Sequence, residues 1–191
     1  MKNKYLLLLL FFGSFICISP SCKKHNPDPD PLSLLPPATQ TGANTFGCLV
    51  NGQALVAKNT KGNGQSPTQC NYIYTNGGYY FTVAGSDDSN KDYIVSAALN
   101  TTLLAITEGQ IIKLENRNEA GKACGLYSLV YNNTQPPTWQ TTSVINGQMH
   151  IVKFDQVHQI VSGTFDFNAI NLVTGEVVSV TNGRFDMKYT Q

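Results

Sequence analysis

Charge is scarce in this chain, and arginine is almost missing from it. Lys, Arg, Asp and Glu together make up 13% of the residues, about half of the roughly 25% usual in globular domains. Arg117 and Arg184 are the only arginines, and no basic run follows Lys23-Lys24. A nucleic-acid binder carries a clustered basic patch or stripe, so that class of partner is excluded. The spacings that mark hydrolytic and metal chemistry are missing too. There is no C-x-x-C, no H-E-x-x-H and no G-x-S-x-G, which leaves no cysteine-built zinc site and no nominated nucleophile. No segment has convincing amphipathic helical periodicity, and no cofactor is expected.

One apolar run stands out, at the start. Lys2 and Lys4 precede a nearly all-apolar stretch from Tyr5 to Ile18, and Ser19-Pro20-Ser21-Cys22 closes it. A basic start, a short apolar core and small residues before a cut describe an export signal. As a helix the apolar run would rise only about 21 Å, too little for a hydrocarbon core of about 30 Å. Small residues directly ahead of a cysteine suit a lipoprotein signal, with Cys22 acylated and becoming the first residue of the mature chain. Cys17 is the rival, but the bulky Phe15 and Ile16 stand where small residues are needed. Two or more acyl chains, palmitate among them, anchor stably. The expectation is therefore a signal peptide over 1–21 and a lipid-anchored protein of the bacterial cell envelope, in the outer membrane. Lys23-Lys24 directly after the anchor favours the periplasmic side, with the surface face left open.

Removing Lys2 and Lys4 leaves 11 basic against 12 acidic residues. Residues 22–43 hold Pro27, Pro29, Pro31, Pro36 and Pro37 and read as a disordered, Pro-rich tether. From residue 44 to 191 short β segments follow one another. Thr45 to Val50 and Gln53 to Ala57 flank Asn51-Gly52; Cys70 to Thr75 and Tyr79 to Gly85 flank Asn76-Gly77-Gly78. Such pairs are strong hairpin signals. Further strands are expected over 93–99, from about 110 to 114, and over 126–131, 148–154, 159–170, 176–180 and 184–189, with 132–142 a loop or edge. Asn182-Gly183 reads as the break between the last two. About ten short strands without helices predict an all-β domain, an antiparallel β-sandwich or a partly open barrel. In the expected mature chain three thiols besides Cys22 (Cys48, Cys70 and Cys124) allow one disulfide with one left over. Cys70–Cys124 is favoured, and Cys48, alternating with Phe46 and Val50, is expected to be buried and reduced.

Two patches carry a family likeness: Thr45-Phe46-Gly47-Cys48-Leu49-Val50-Asn51-Gly52 near the start, and Gly163-Thr164-Phe165-Asp166-Phe167 with Asn182-Gly183-Arg184-Phe185-Asp186 near the end. On these residues the domain resembles a family of uncharacterised lipoproteins from Bacteroidetes-type bacteria, a domain of unknown function. The resemblance implies an envelope lipoprotein with a β domain and no assigned activity. Phe165 and Phe167 share one strand face and Thr164 and Asp166 the other, as in a half-buried strand. Arg184 and Asp166 are placed to form a cross-strand ion pair.

The remaining candidates are sparse. Asp88, Asn90 and Asp92 have the oxygen spacing of a calcium loop, but Tyr93 occupies the turn-glycine position and Leu99 that of the bidentate Glu. Glu108, Glu115, Glu119, Asp155, Asp166, Glu176 and Asp186 are raw material for a carboxylate pair, and His150 and His158 lack partners at metal spacing. Tyr72, Tyr74 and Trp139 are the candidate ligand contacts, as flat rings suited to stacking on sugars or on a protein partner. The leading expectation is a non-enzymatic binding or structural module held to the membrane by Cys22, with glycan or an envelope protein as partner. An envelope hydrolase acting on glycan or peptide, and a carrier of a small apolar ligand, are the alternatives.

Overall fold

Asparagine–glycine pairs set the first turns. Asn51 and Gly52 have φ of 48° and 80°, and Asn76 and Gly77 have 52° and 84°. Positive φ at both central residues makes the twist of a two-residue hairpin match that of its strands. The computed structural model describes residues 28–62, 64–131 and 136–191. Among them are eleven strands: β1 Thr45–Val50, β2 Gln53–Val56, β3 Thr68–Thr75, β4 Gly78–Asp87, β5 Tyr93–Thr102, β6 Ile111–Leu114, β7 Lys122–Tyr131, β8 Thr138–Gln140, β9 Gly147–Asp155, β10 Ile160–Ile170 and β11 Val177–Lys188. The only helical element among these residues is a 3₁₀ turn, Pro31–Leu34.

The strands form one sheet in the order β2-β1-β11-β10-β9-β6-β7-β5-β4-β3, with β8 pairing both β10 and β7. Among the described residues every strand-to-strand pairing is antiparallel except that of Leu114 in β6 with Ala123 in β7, and two isolated bridges are parallel as well. The sheet rolls over until its two halves face each other. Two short stitches then join its ends: Lys58, just past β2, bridges Asp87, and Thr190, just past β11, bridges Asn71 of β3. Tyr72 N–H donates to the Thr190 carbonyl at 2.8 Å, and Thr190 N–H to that of Cys70 at 3.1 Å. The result is an all-β, largely antiparallel, partly open barrel, flattened like a sandwich.

Phenylalanines standing on glycines fill the space between the halves. In the β10–β11 ladder Gly163 pairs with Phe185 and Phe165 with Gly183, a reciprocal exchange that lets each ring lie over a strand without a side chain. Across the interior the Phe46 ring covers Gly85 of β4, and the Phe167 ring covers Gly125 of β7. A Cβ on Gly125 would come within 2.8 Å of Phe167. Phe46 and Phe81 are essentially sealed from solvent, and Phe165, Phe167 and Phe185 nearly so. Full burial of such a ring contributes about 1.5–3 kcal/mol. The terminal sequence patches are thus accounted for by packing.

Two expectations about chain layout need correction. Asn182-Gly183 does not end a strand: β11 runs through it, and the register of β11 against both β1 and β10 slips by one residue there. Asn182, with φ of 54°, is the extra residue of a bulge, a left-handed conformation that Asn tolerates better than most. Nor is the part of the expected tether that is described a free spacer. Residues 28–43 lie on the body: Leu35 is buried, the 3₁₀ turn packs beside β2, and Pro36 covers Gly47 of β1. Residues 22–27 lie outside the described residues. Pairing shows which face this strap covers. Phe46 and Phe185 pair in a row aimed at the interior, so the next rows, Thr45 with Asp186 and Gly47 with Arg184, point outward beneath the strap.

Candidate functional site

The strap is fixed by one carboxylate. Asp186 is 1% exposed, and its Oδ2 accepts from Thr39 Oγ1 at 2.6 Å, Thr41 N at 2.9 Å, Thr41 Oγ1 at 3.2 Å and Ala43 N at 3.2 Å. Its Oδ1 accepts from Gly42 N at 2.7 Å. Positive φ at Gly42 (72°) and Asn44 (56°) curls the strap so that neighbouring N–H groups converge, the arrangement of a backbone anion nest. Burial by itself would raise the Asp186 pKa, but the Thr39 hydroxyl and the N–H groups of Thr41, Gly42 and Ala43 outweigh it and hold the carboxyl below its usual value. Asn44 Oδ1 accepts from Lys188 N at 2.9 Å. Sequence reasoning placed Asp186 in a patch of likeness but missed this role, because its donors lie more than 140 residues away.

Asp88, the other buried carboxylate, does the same for a loop. It accepts from Thr60 N at 2.6 Å, Thr60 Oγ1 at 2.8 Å and Lys61 N at 3.2 Å. These bonds, the Thr60 N–H foremost, lower its pKa. It therefore points away from the calcium geometry considered above, and Asn90 caps its own turn by accepting from Asp92 N at 2.9 Å. Among the described residues no group of three or more His, Cys, Asp and Glu is placed to hold a metal.

The other acids and histidines are dispersed. Asp155 accepts from His158 N and meets His158 Nδ1, each at 2.9 Å, which keeps its carboxyl low. His158 itself sits in the turn between β9 and β10, while His150 is within β9. Glu115 meets Lys122 at 3.2 Å and Lys113 at 3.4 Å, and it too is lowered, mainly by the Lys122 bond. Glu119 accepts from Asn116, and Glu108 from Phe154 N. The Arg184–Asp166 ion pair does not form. The Arg184 guanidinium instead donates to the carbonyls of Asn182 at 3.3 Å and Pro36 at 3.4 Å, reaching toward the strap while Asp166 stays exposed.

The nominated rings divide. Trp139 lies in β8 rather than a loop, is 5% exposed, and packs on Tyr127 at 5.3 Å; its Nε1 has no hydrogen-bond partner among the described residues. Tyr127 is itself pushed up to about 12 by burial. Tyr72 is buried as well, stacked on Tyr79 at 4.7 Å and edge-on to Phe154 and Tyr189. Tyr74 alone is offered to solvent, 64% exposed, with its ring against Tyr79. The structure therefore does not bring the three together as one stacking surface.

Cys22 lies outside the described residues. Cys48, Cys70 and Cys124 are free thiols, all buried, so the Cys70–Cys124 bridge is corrected. Cys70 pairs with Val83, Val83 with Leu99, and Leu99 with Gly125. That row points inward, and Cys124, next to Gly125, points to the opposite face, three strands away. Three strand spacings amount to about 14 Å, while a disulfide needs Cα atoms within about 7 Å. Burial pushes Cys48 up to about 12 and raises Cys70 and Cys124 as well.

Open depressions mark the surface formed by the described residues. One, of about 600 Å³, is lined by Arg117, Pro136, Pro137, Gln140, Leu172 and Val173 among others, and Leu172 and Val173 are largely exposed beside it. A second, of about 450 Å³, lies over the β11 bulge between Thr164, Asp166, Asn182 and Arg184. Comparison with protein-family models, with curated proteins and with solved structures gives no match.

Proposed function

We propose that this chain is a lipoprotein of the bacterial cell envelope, anchored through Cys22, whose β domain is a non-enzymatic binding or structural module. The observation that carries the non-enzymatic part is the state of its two buried carboxylates. Among the described residues Asp186 and Asp88 are the charged side chains sealed in the fold, and both have lowered pKa values and are occupied by donors from a strap and a loop. A general acid needs the opposite, a carboxyl raised toward neutrality and facing substrate. The interior is filled by Phe46, Phe81, Phe165, Phe167 and Phe185, which speaks for a scaffold rather than a carrier of an apolar ligand. Binding then falls to the outside, where the groove of Arg117, Pro136, Pro137, Leu172 and Val173 combines a cation with apolar surface. Such a combination suits an acidic segment of an envelope protein. The resemblance to envelope lipoproteins and the expected export signal support the envelope location.

Two measurements test this. Growth with a radioactive fatty acid should label the wild type and leave Cys22→Ala unlabelled; persistent label on the variant would move the anchor to Cys17 or refute it. The purified protein incubated with isolated envelope should be retained and release no soluble glycan or peptide fragments. Release that is lost on replacing a surface carboxylate such as Asp166 would overturn the non-enzymatic reading.

A further inference from the structure

The docked strap limits how the domain can sit. Cys22 is eight residues from Asp30, a reach of at most about 29 Å even when fully extended. From the turn Pro31–Leu34 onward the chain is tied to the body. Asp30 Oδ1 accepts from Leu32 N at 3.0 Å, the turn it caps packs beside β2, and Leu35 is buried. From there to β1 the Asp186 nest holds the strap down, so the point of attachment cannot swing out as a tether would. A compact body of this size is about 40 Å across. If the strap face were turned away from the membrane, the connection would have to span more than it can reach.

We infer that the strap-bearing face of the domain lies against the lipid surface, with Leu32 and Leu34 seated among the headgroups. This rests on the proposed lipidation of Cys22 and adds an orientation to it. The two leucines are 43% and 51% exposed, and they stand on the turn nearest the anchor. Apolar side chains held at the interface add to the binding given by acyl chains. The exposed Asp28 can remain in the hydrated headgroup layer, and the Asp30 carboxylate is engaged by the turn it caps. The outer face of the far half, on which Ser96 alternates with buried Ala97 in β5, is then directed away from the membrane.

The orientation can be read with the full acylated chain, purified from membranes and placed in phosphatidylcholine vesicles that contain a lipid spin-labelled near its headgroup. A fluorophore is attached in one sample to Leu34→Cys and in another to Ser96→Cys. The native thiols are buried, so labelling is confined to the new site, and neither position is sealed in the core. The Leu34 probe should lose most of its intensity and the Ser96 probe little. Equal quenching at both sites, or stronger quenching at Ser96, on an acylated and vesicle-bound chain overturns the orientation and leaves the lipoprotein reading standing. A wild-type chain that carries no acyl group and does not float with the vesicles overturns the lipoprotein reading itself, and the orientation with it.

Discussion

Replacing Asp186 with Asn keeps the shape of the side chain and removes the reason the strap stays down. Five donors converge on two oxygens, four on Oδ2 and one on Oδ1. An amide has one acceptor oxygen and one NH2. With its oxygen at the Oδ2 position, four bonds survive as neutral ones, and the NH2 confronts the Gly42 N–H, donor against donor. Hydrogen bonds to a charged group are worth about 1.5–3 kcal/mol and neutral ones about 0.5–1.5, and a buried donor left unsatisfied costs about 1–3. Asn also relieves the burial of a charge, so the net loss for Asp186→Asn should be about 2–4 kcal/mol. For a chain of this size that lowers the melting temperature by about 5–15 °C, with faster proteolytic cutting within 28–43. The sign of the pH dependence follows from the lowered pKa. The stabilisation is complete above the unfolded value near 3.9 and is lost as pH falls through the lower folded value. The gap between wild type and variant should therefore be full at neutral pH and shrink in strong acid. Melting curves by circular dichroism at several pH values decide it. A variant that melts within about 1 °C of wild type at neutral pH, or a gap that does not narrow in acid, refutes the account of the nest.

Adding a methyl where a ring lies should strain the interior: Gly183→Ala and Gly85→Ala place a Cβ 2.6 Å from atoms of Phe165 and Phe46, and each should destabilise by about 1–3 kcal/mol in urea titration. Unchanged midpoints would contradict the ring-over-glycine packing. Trp139→Ala should cost about 3–5 kcal/mol, whereas Trp139→Phe should cost much less because it keeps a ring against Tyr127 and the indole Nε1 has no partner among the described residues. A near-normal melt for the alanine variant would return Trp139 to the surface. Cys48, Cys70 and Cys124 should react with a thiol reagent only after denaturation, and an unreduced digest should show no bridge between them; a Cys70–Cys124 peptide would mean that the strand order is wrong.

Local chemistry made much of the fold legible. Asn51-Gly52 and Asn76-Gly77 announce hairpins because few other residue pairs accept positive φ at both positions. Thr164 to Phe167 announces its faces because side chains alternate in any strand, and the short apolar run ending at Ile18, ahead of Cys22, is interpretable because bilayer thickness sets a scale. Where a reading depended on partners distant in sequence, the residues alone were ambiguous. Asn182-Gly183 has the same letters as a hairpin turn, and only pairing with β1 and β10 on both sides makes it a bulge inside one strand. Trp139 follows two prolines, which suggested a loop, yet three residues suffice for β8 once β7 and β10 stand ready to pair.

By itself, the sequence determined the all-β class, the first two hairpins and the expectation of an export signal, since each rests on backbone preference or on a run of neighbouring side chains. Tertiary structure alone decided that Cys70 and Cys124 face opposite ways, because a single residue of register reverses every side chain in a strand. It also decided that the proline-rich segment from residue 28 is a strap. Nothing in Thr39 to Ala43 is apolar enough to signal packing; what holds these residues is a carboxylate at the other end of the chain, and no local pattern encodes a partner that far away.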